Sequence, residues 1–297
     1  MWGWAVCEML RSFAPAKINL CLHVTGQRSD GYHLLDSVVG FANVGDWVTL
    51  AQGPHRLNLS GPQAKGLGAG ENIITRVLSA FDASDLAVHL DKHLPVASGI
   101  GGGSSDAAAT YRAILALKGR APAAEDSAKL LALGADVPVC VLAQSARMRG
   151  IGAQITPLAD LPALDAVLVN PHVALPTPHV FHALRQKENP SLPAMMPIGA
   201  GQGEMVTWLA QQRNDLEPAA ISIAPVIRDV LDAVLHSGAQ LARMSGSGAT
   251  CFGLYSDAAA ATAAASGLQR QYPQWWVQAC TINGPLDVQP QEMRATT

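Results

Sequence analysis

The sequence predicts an α+β protein of two domains, and three observations indicate this class. Segments rich in strand-forming residues dominate the first part of the chain, whereas helices become frequent only later. The second half alternates between amphipathic helices and short apolar strands. The length of 297 residues suits two domains of ordinary size. We expect them at residues 1–160 and 161–297, because two prolines flank a short step at 157–162.

The strands are predicted from apolar alternation and from the turn residues between them. Residues 13–24 alternate loosely, and the glycines within 26–31 mark the turn that follows. A second turn is expected at 43–46, between two further strands. The predicted strands are 13–24, 34–41, 47–51, 57–59, 86–90, 139–143, 146–149, 166–170, 241–243, 250–254 and 276–281.

The helices are predicted from strong helix formers, apolar periodicity and glycine stops. Residues 106–118 end before Gly119, and Gly134 is expected to cap the next helix at its C-terminus. Residues 189–203 are rich in proline and glycine and are predicted as a loop. The predicted helices are 72–80, 106–118, 123–133, 180–184, 205–212, 225–236 and 258–268.

Charge and cysteine content exclude several classes of protein. A formal net charge of -3 indicates no basic face, so we expect no nucleic acid partner. Five cysteines without a C-x-x-C pair argue against disulfides and against a cysteine-based zinc site. No run of 18 apolar residues occurs, and residues 1–10 lack the basic start of a signal peptide. We therefore expect a cytoplasmic protein with no membrane span, as a monomer or a homodimer.

A glycine-rich segment at 95–105 is the most informative stretch, with four glycines and three serines directly before a predicted helix. Glycines let the backbone approach a ligand closely, and a helix N-terminus offers unpaired N–H groups to an anion. The segment is neither a Walker A loop nor a dinucleotide fingerprint. A flexible linker is the alternative, but a linker is not expected to lead into a good helix with hydroxyls at its start.

This segment resembles the second motif of the GHMP kinases, a family of small-molecule kinases. The other two motifs of that family have counterparts at 14–20 and 243–252, in the same order. Three ordered motifs over nearly the whole chain make the resemblance specific. It implies a ribosomal-S5-like N-terminal domain, a ferredoxin-like C-terminal domain and an active site in the cleft between them.

One branch of the family is matched more closely by residues 17–33 and 133–138, and by Thr177 and Pro178 together with Phe181. That branch phosphorylates the 2-hydroxyl of a cytidine-diphosphate-linked sugar alcohol on the non-mevalonate route to isoprenoid precursors. Two departures are small: Ile100 stands where leucine is usual, and Cys140 where phenylalanine is common. The first ten residues have no counterpart in the family.

The resemblance implies that Asp136 is the base that takes the proton from the attacking hydroxyl. Local sequence alone equally allows a turn aspartate after a helix. Lys17 would stand beside Asp136, keep it ionised and stabilise the transferred group, although a lone lysine on a strand can also snorkel. Asn19 lies two residues further and therefore on the same face of the strand, where it would hold the acceptor.

The remaining roles also follow from the resemblance, with ATP as phosphoryl donor and Mg²⁺ as its companion ion. The sequence does not single out protein ligands for the metal. Tyr32 and Phe181 would enclose the cytosine, and His33 would hydrogen-bond its edge. The expected ATP-binding residues are Asn72, Pro95, Gly99, Ile100, Gly101, Gly102, Gly103, Ser104 and Ser105. The expected acceptor-binding residues are Asn19, Tyr32, His33, Thr177, Phe181, Gly246 and Gly248.

Two rival functions are the alternatives to this one. Another GHMP kinase, acting on homoserine or mevalonate, would share the second and third motifs but is not expected to carry both 30–33 and 134–136. A catalytically inactive ligand sensor would be expected to lack Lys17 or Asp136, and both are present.

Overall fold

The computed structural model describes residues 9–67 and 72–293, and the predictions made for residues 1–8 lie outside them. The strands are β1 (Met9–Gln27), β2 (His33–Gln52), β3 (Arg56–Ser60), β4 (Leu86–Asp91), β5 (Ala146–Gly150), β6 (Gln154–Pro157), β7 (Leu164–Asn170), β8 (Leu241–Met244), β9 (Cys251–Leu254), β10 (Trp276–Ile282) and β11 (Gln291–Met293).

The helices are α1 (Ile73–Ala80), α2 (Gly102–Leu117), α3 (Asp126–Leu133), α4 (Val137–Leu142), α5 (Thr177–Ala183), α6 (Gln202–Ala210), α7 (Glu217–Ile223), α8 (Val226–His236) and α9 (Ala258–Gln271), with a 3-10 turn at Ala64–Gly66. Every predicted helix and all but one of the predicted strands correspond to an observed element. Strands β6 and β11 and helices α4 and α7 were not predicted.

Two groups of strands form the sheet, in the order β11-β1-β2-β10-β7-β9-β8. Strands β4 and β5 also pair with β2, and β6 pairs with β5, all of them antiparallel. The pairing of β3 with β4 is parallel. Within the described residues, the two groups pair at Ile282 of β10 and Ala42 of β2.

The turn expected at 43–46 is wrong, because β2 runs unbroken through it. Gly45 marks a close approach inside the strand rather than a turn. A Cβ on Gly45 would lie 2.3 Å from the carbonyl oxygen of Ala14 on β1. Its neighbour Asp46 is fully buried and pairs across the hairpin with the same Ala14.

Two predictions, for the start of α2 and for residues 139–143, also need correction. Helix α2 begins at Gly102 rather than at residue 106, so the last four residues of the glycine-rich segment form its first turn. The strand expected at 139–143 is wrong, because those residues belong to α4 or to its C-terminal end. A short apolar run does not by itself distinguish a strand from a buried helix, and Pro138 in the first turn favours the helix.

Apolar clusters on both faces hold the sheet, and one of them joins the two halves of the chain. In that cluster Ile18 and Leu20 of β1 pack with Leu168 of β7 and Phe252 of β9, all fully buried. The division predicted at residue 160 stays a prediction, and β11 crosses it by pairing with β1. Across the described part of the chain, no helix has the length and apolar character needed to cross a membrane.

Candidate active site

A cavity of about 1190 Å³ lies where the three sequence motifs meet. Its wall includes side chains from β1, the start of α2, the start of α4 and α5. This volume slightly exceeds the usual range for a single drug-sized ligand, about 300–1,000 Å³, so it has room for two substrates. Residues that represent these segments are Lys17, Asn19, Ser104, Asp136, Phe181 and Gly246.

An ion pair between Lys17 and Asp136 is the chemical centre of this cavity. The Lys17 ammonium donates to Asp136 Oδ2 at 2.7 Å. The lysine side chain is 5% exposed, whereas the aspartate side chain is 37% exposed and therefore reachable by a ligand. Asp136 holds the N-cap position of α4 but does not cap the helix with its side chain. Its carboxylate is therefore available to Lys17 and to the cavity.

A bulge in β1 fixes the glycine-rich segment beside that ion pair. The pairing of β1 with β2 is interrupted between Pro15 and Lys17. The freed Lys17 N–H donates to the Ile100 carbonyl at 2.9 Å, and the Pro15 carbonyl accepts from the Ser105 hydroxyl at 2.6 Å. The bulge therefore holds the segment on both sides of Gly101, which takes a left-handed φ of 64° as N-cap of α2.

Most of the predicted ATP-binding residues line the cavity. The first N–H groups of α2 have no acceptor within the helix, so they are free to bind an anion. Asn72 caps α1 by accepting from the Ile74 amide and also lines the cavity. Two predicted residues do not line it, because Ile100 is buried in the core and the Ser105 hydroxyl is bonded to Pro15. The lining members are Asn72, Pro95, Gly99, Gly101, Gly102, Gly103 and Ser104.

The third motif closes the cavity by bonding to the other two. The buried Ser245 hydroxyl accepts from the backbone N–H of Asn19 at 3.1 Å and donates to the Gly99 carbonyl at 3.0 Å. Thr177 shares a hydrogen bond of 2.8 Å with Ser247 and lines the cavity, as Gly246 does.

Asn19 of the first motif lines the cavity, whereas Gly248 of the third motif does not. Asn19 lines the cavity together with Lys17, as their spacing on β1 predicts, and the Asn19 side-chain amide donates to the Ser37 hydroxyl at 2.8 Å. Gly248 does not line the cavity, because it packs against Met244 and Leu175.

An aromatic pair stands at the other end of the cavity. The rings of His33 and Phe181 stack with centroids 4.8 Å apart, and Tyr32 is 64% exposed beside them. The Nε2 atom of His33 is buried and has no hydrogen-bond partner in the structure. Burial, and next the charge of Lys187, lower the pKa of His33, which favours the neutral form of its ring.

A buried charge cluster beneath the glycine-rich segment was missed at the level of sequence. Lys92 donates to Asp46 at 2.5 Å and to Asp106 at 2.7 Å, and Lys92 and Asp106 belong to the cavity wall. Burial alone would lower the pKa of Lys92, but the two carboxylates outweigh it and raise the pKa. Burial raises the pKa of Asp106. The sequence carries one sign of this cluster, which is the acidic residue Asp106 in an alanine-rich predicted helix.

Other titratable groups have ordinary structural partners. His89 lies 2.8 Å from the Ser60 hydroxyl, and His93 lies 3.0 Å from Asp91. No group of three or more histidine, cysteine or acidic residues suited to a metal occurs within residues 9–67 and 72–293. The cysteines described there are buried free thiols, namely Cys21, Cys140, Cys251 and Cys280.

Comparison with known proteins agrees with the family that the three sequence motifs resemble. The family model of the GHMP kinases N terminal domain matches residues 72–144, and that of the GHMP kinases C terminal matches residues 199–274. A protein of Dinoroseobacter shibae named 4-diphosphocytidyl-2-C-methyl-D-erythritol kinase is 55% identical over 271 residues, which cover 90% of this chain and 93% of the relative. The chain belongs to the GHMP kinase family.

Further relatives agree with this membership. A relative with the same name from Roseobacter denitrificans is 49% identical and covers 92% of this GHMP kinase. The solved structure of a 4-(cytidine 5'-diphospho)-2C-methyl-D-erythritol kinase superposes with a TM-score of 0.76 at 32% identity, over 93% of this chain and all of that one. A homoserine kinase from Cytophaga hutchinsonii, at 19% identity and a TM-score of 0.68 over 99% of this chain and 100% of that one, shares the fold. The predicted two-domain α+β fold of a GHMP kinase is confirmed.

Proposed function

We propose that this GHMP kinase transfers the γ-phosphoryl group of ATP to the 2-hydroxyl of 4-diphosphocytidyl-2-C-methyl-D-erythritol, on the non-mevalonate route to isoprenoid precursors. One observation carries the proposal. The Lys17–Asp136 pair stands in one cavity with a helix N-terminus suited to phosphates and an aromatic pair suited to a base. The relatives named after the same substrate support this choice of acceptor.

Asp136 is the general base of the proposed reaction. The acceptor oxygen attacks the γ-phosphorus, the bond from that phosphorus to the β–γ bridging oxygen breaks, and the acceptor proton passes to Asp136. The Lys17 ammonium, 2.7 Å from Oδ2, orients the carboxylate and offers positive charge to the transferred group. Because Lys17 is almost fully buried, its charge is little screened by water.

The first turn of α2 holds the phosphates of the donor. Its free N–H groups and the positive end of the helix dipole favour a triphosphate. Mg²⁺ keeps several waters and needs few protein ligands, so the Ser104 hydroxyl in the cavity wall would hold it together with phosphate oxygens. When bound, the ion neutralises charge on the transferred group.

Recognition of cytidine is assigned to the aromatic end of the cavity. Tyr32 and Phe181 offer ring faces for base stacking, each contributing about 1–3 kcal/mol. The unpartnered Nε2 atom of His33 is suited to the hydrogen-bonding edge of the base. A uridine analogue presents a different pattern of donors and acceptors, for which the tautomer of His33 would have to change, and is therefore disfavoured.

The setting of the reaction is part of the same proposal. Four buried free thiols support a reducing compartment, and we place the enzyme in the cytoplasm as a monomer or a homodimer. A net charge of -3 supports a small-molecule partner rather than nucleic acid.

A coupled ADP-release assay tests the proposal. The protein receives Mg-ATP with, in parallel, the cytidine-diphospho sugar alcohol, homoserine or mevalonate. ADP release is expected with the cytidine compound alone. The Asp136→Asn variant serves as matched control, because it keeps the shape of the side chain and removes the base. It is expected to bind ATP and to lose turnover by about 10²–10⁴-fold, the usual contribution of general base catalysis.

The other outcomes separate the rivals. ADP release with homoserine or mevalonate would change the proposed acceptor but would still show a kinase. ATP binding without release in the presence of any acceptor would favour the ligand sensor.

A further inference from the structure

Three buried charges meet directly beneath the glycine-rich segment. The ammonium of Lys92 lies between the carboxylates of Asp46 and Asp106, and all three residues are at most 3% exposed. They belong to three different parts of the fold, because Asp46 is in β2, Lys92 follows β4, and Asp106 is in the first turns of α2. The cluster is therefore a tertiary link rather than a local turn.

This cluster holds both ends of the glycine-rich segment. Asp46 Oδ1 accepts from the amides of His93 and Leu94, at 2.6 and 2.8 Å, immediately before the segment begins. Asp46 Oδ2 accepts from Lys92, which bonds on its other side to Asp106, one residue after the segment ends. Lys92 thus connects the entry of the segment to its exit.

The ammonium also lies against the segment itself. A Cβ on Gly102 would lie 3.2 Å from Lys92 Nζ, while a Cβ on the preceding Gly101 would lie 3.1 Å from Lys17 Cβ. Two lysines therefore pack against consecutive glycines at the start of α2. Lys17 reaches the exposed carboxylate of Asp136, whereas Lys92 reaches only buried carboxylates. Lys92 is therefore placed to act on the segment and not on the reacting atoms.

Removal of this ammonium would leave two buried carboxylates without a counter-charge. Asp106 already has one oxygen atom, Oδ1, that is buried without a hydrogen-bond partner. Burying two carboxylates without a counter-charge is strongly unfavourable, so the contacts that hold the two ends of the segment together would be weakened. The N–H groups at the start of α2 would then move away from the position where the phosphates bind.

We propose that Lys92 is a positioning residue for the phosphate donor: through Asp46 and Asp106 it holds the glycine-rich segment in the conformation that binds ATP. The proposal rests on the proposed function in one respect, which is that the triphosphate binds at the start of α2. It assigns to Lys92 an effect on the donor and none on the acceptor.

Steady-state kinetics and nucleotide binding of three variants test this role. Lys92→Met is expected to raise the KM for ATP at least about tenfold, with the KM for the acceptor within about twofold of the original. Asp106→Asn keeps an oxygen that accepts from Lys92 and is expected to give a smaller rise. Lys118→Met is the matched control, because Lys118 lies at the far end of α2 and donates to the carbonyls of Phe81 and Asp82. Its KM for ATP is expected to stay unchanged.

Isothermal titration with Mg-ADP and thermal melting complete the experiment. If Lys92→Met does not fold, Asp106→Leu replaces it, since it keeps the pair of Lys92 with Asp46 and removes only the link to α2. A folded variant with an unchanged KM for ATP overturns the proposal, and so does a parallel loss for both substrates that follows the melting temperature. Absence of turnover in the unmodified protein would count against the proposed function, while the titration would still decide the role of Lys92.

Discussion

At the scale of residues, the position of a side chain on its element decides whether it can act on a ligand. Asn72 and Asp257 stand at the N-cap positions of α1 and α9, and each accepts a hydrogen bond from the first turn. Asp136 stands at the same position of α4 but makes no such bond. Its carboxylate turns instead to Lys17 from β1, which no rule about local sequence would give. Family resemblance, rather than capping chemistry, was the information that predicted this pair.

His33 gives a prediction at this scale, because its charge state sets the hydrogen bonds that it can offer. A neutral imidazole has one donor and one acceptor nitrogen, whereas the protonated ring has donors only. Burial against Phe181, with Lys187 nearby, lowers the pKa of His33. We therefore expect the KM for the cytidine acceptor to be constant from about pH 8 to about pH 7. It is expected to rise only when the pH falls below the ordinary pKa of histidine, about 6.5.

Two variants check the assignment of that pH dependence. His33→Gln keeps a donor and an acceptor but does not titrate, so its KM for the acceptor is expected to lose the rise in acid. His179→Gln removes an exposed histidine from α5, the helix that carries Phe181, and is expected to retain the rise. An acid rise that survives in His33→Gln would place the titrating group elsewhere.

At the scale of elements, close backbone approach determines where the glycine-rich segment can lie. Gly99 has a φ of 76°, and a Cβ there would lie 2.5 Å from the Ser245 carbonyl oxygen and 2.7 Å from the Gly248 nitrogen. Gly103, in the first turn of α2, would place a Cβ no closer than 3.9 Å to Ile73. The two glycines therefore have different roles, although both lie in one segment.

Because of this difference, replacing each glycine with alanine is expected to change the stability of the protein in opposite directions. Gly99→Ala is expected to lower the free energy of unfolding by about 1–3 kcal/mol, because it combines a left-handed backbone with a backbone clash. Gly103→Ala is expected to leave it unchanged or raise it by up to about 1 kcal/mol, since alanine is the better helix former. Urea denaturation of both variants measures the two values. Equal losses would mean that the contact with Ser245 does not constrain the segment.

Helices and strands could be predicted where the apolar residues follow one periodicity or where a glycine or proline ends the element. They could not be predicted where contacts with distant residues determine the local structure. The glycine-rich segment and the helix after it followed from composition, as did the shared face of Lys17 and Asn19. The continuity of β2 at 43–46 did not, because glycine there serves the contact with Ala14 rather than a turn. The link of Lys92 to Asp46 joins residues 46 positions apart in sequence, and local patterns carry no information on such pairs.

At the scale of the whole molecule, the active site depends on both halves of the chain. Ser245 from the second half bonds to Gly99 and Asn19 from the first. The buried Arg112 of α2 donates to carbonyls of Phe13 and, near the end of the chain, of Val288. Loss of either half would therefore leave buried polar groups of the other without partners, at about 1–3 kcal/mol each.

The shared core gives the last prediction, that residues 1–160 do not fold alone although they carry Lys17 and Asp136. Without the second half, Ile18, Leu20 and Val38 would lose those members of their apolar cluster that come from residues 161–297. Full burial of such side chains contributes about 1.5–3 kcal/mol each, a large part of the roughly 5–15 kcal/mol that keeps a protein folded. The fragment is expected to show no cooperative thermal transition by circular dichroism. Co-expression with residues 161–297 is the matched control and is expected to restore both the transition and ADP release. A cooperative transition in the isolated fragment would instead show that the first half is an independent domain, for which the contacts across residue 160 are dispensable.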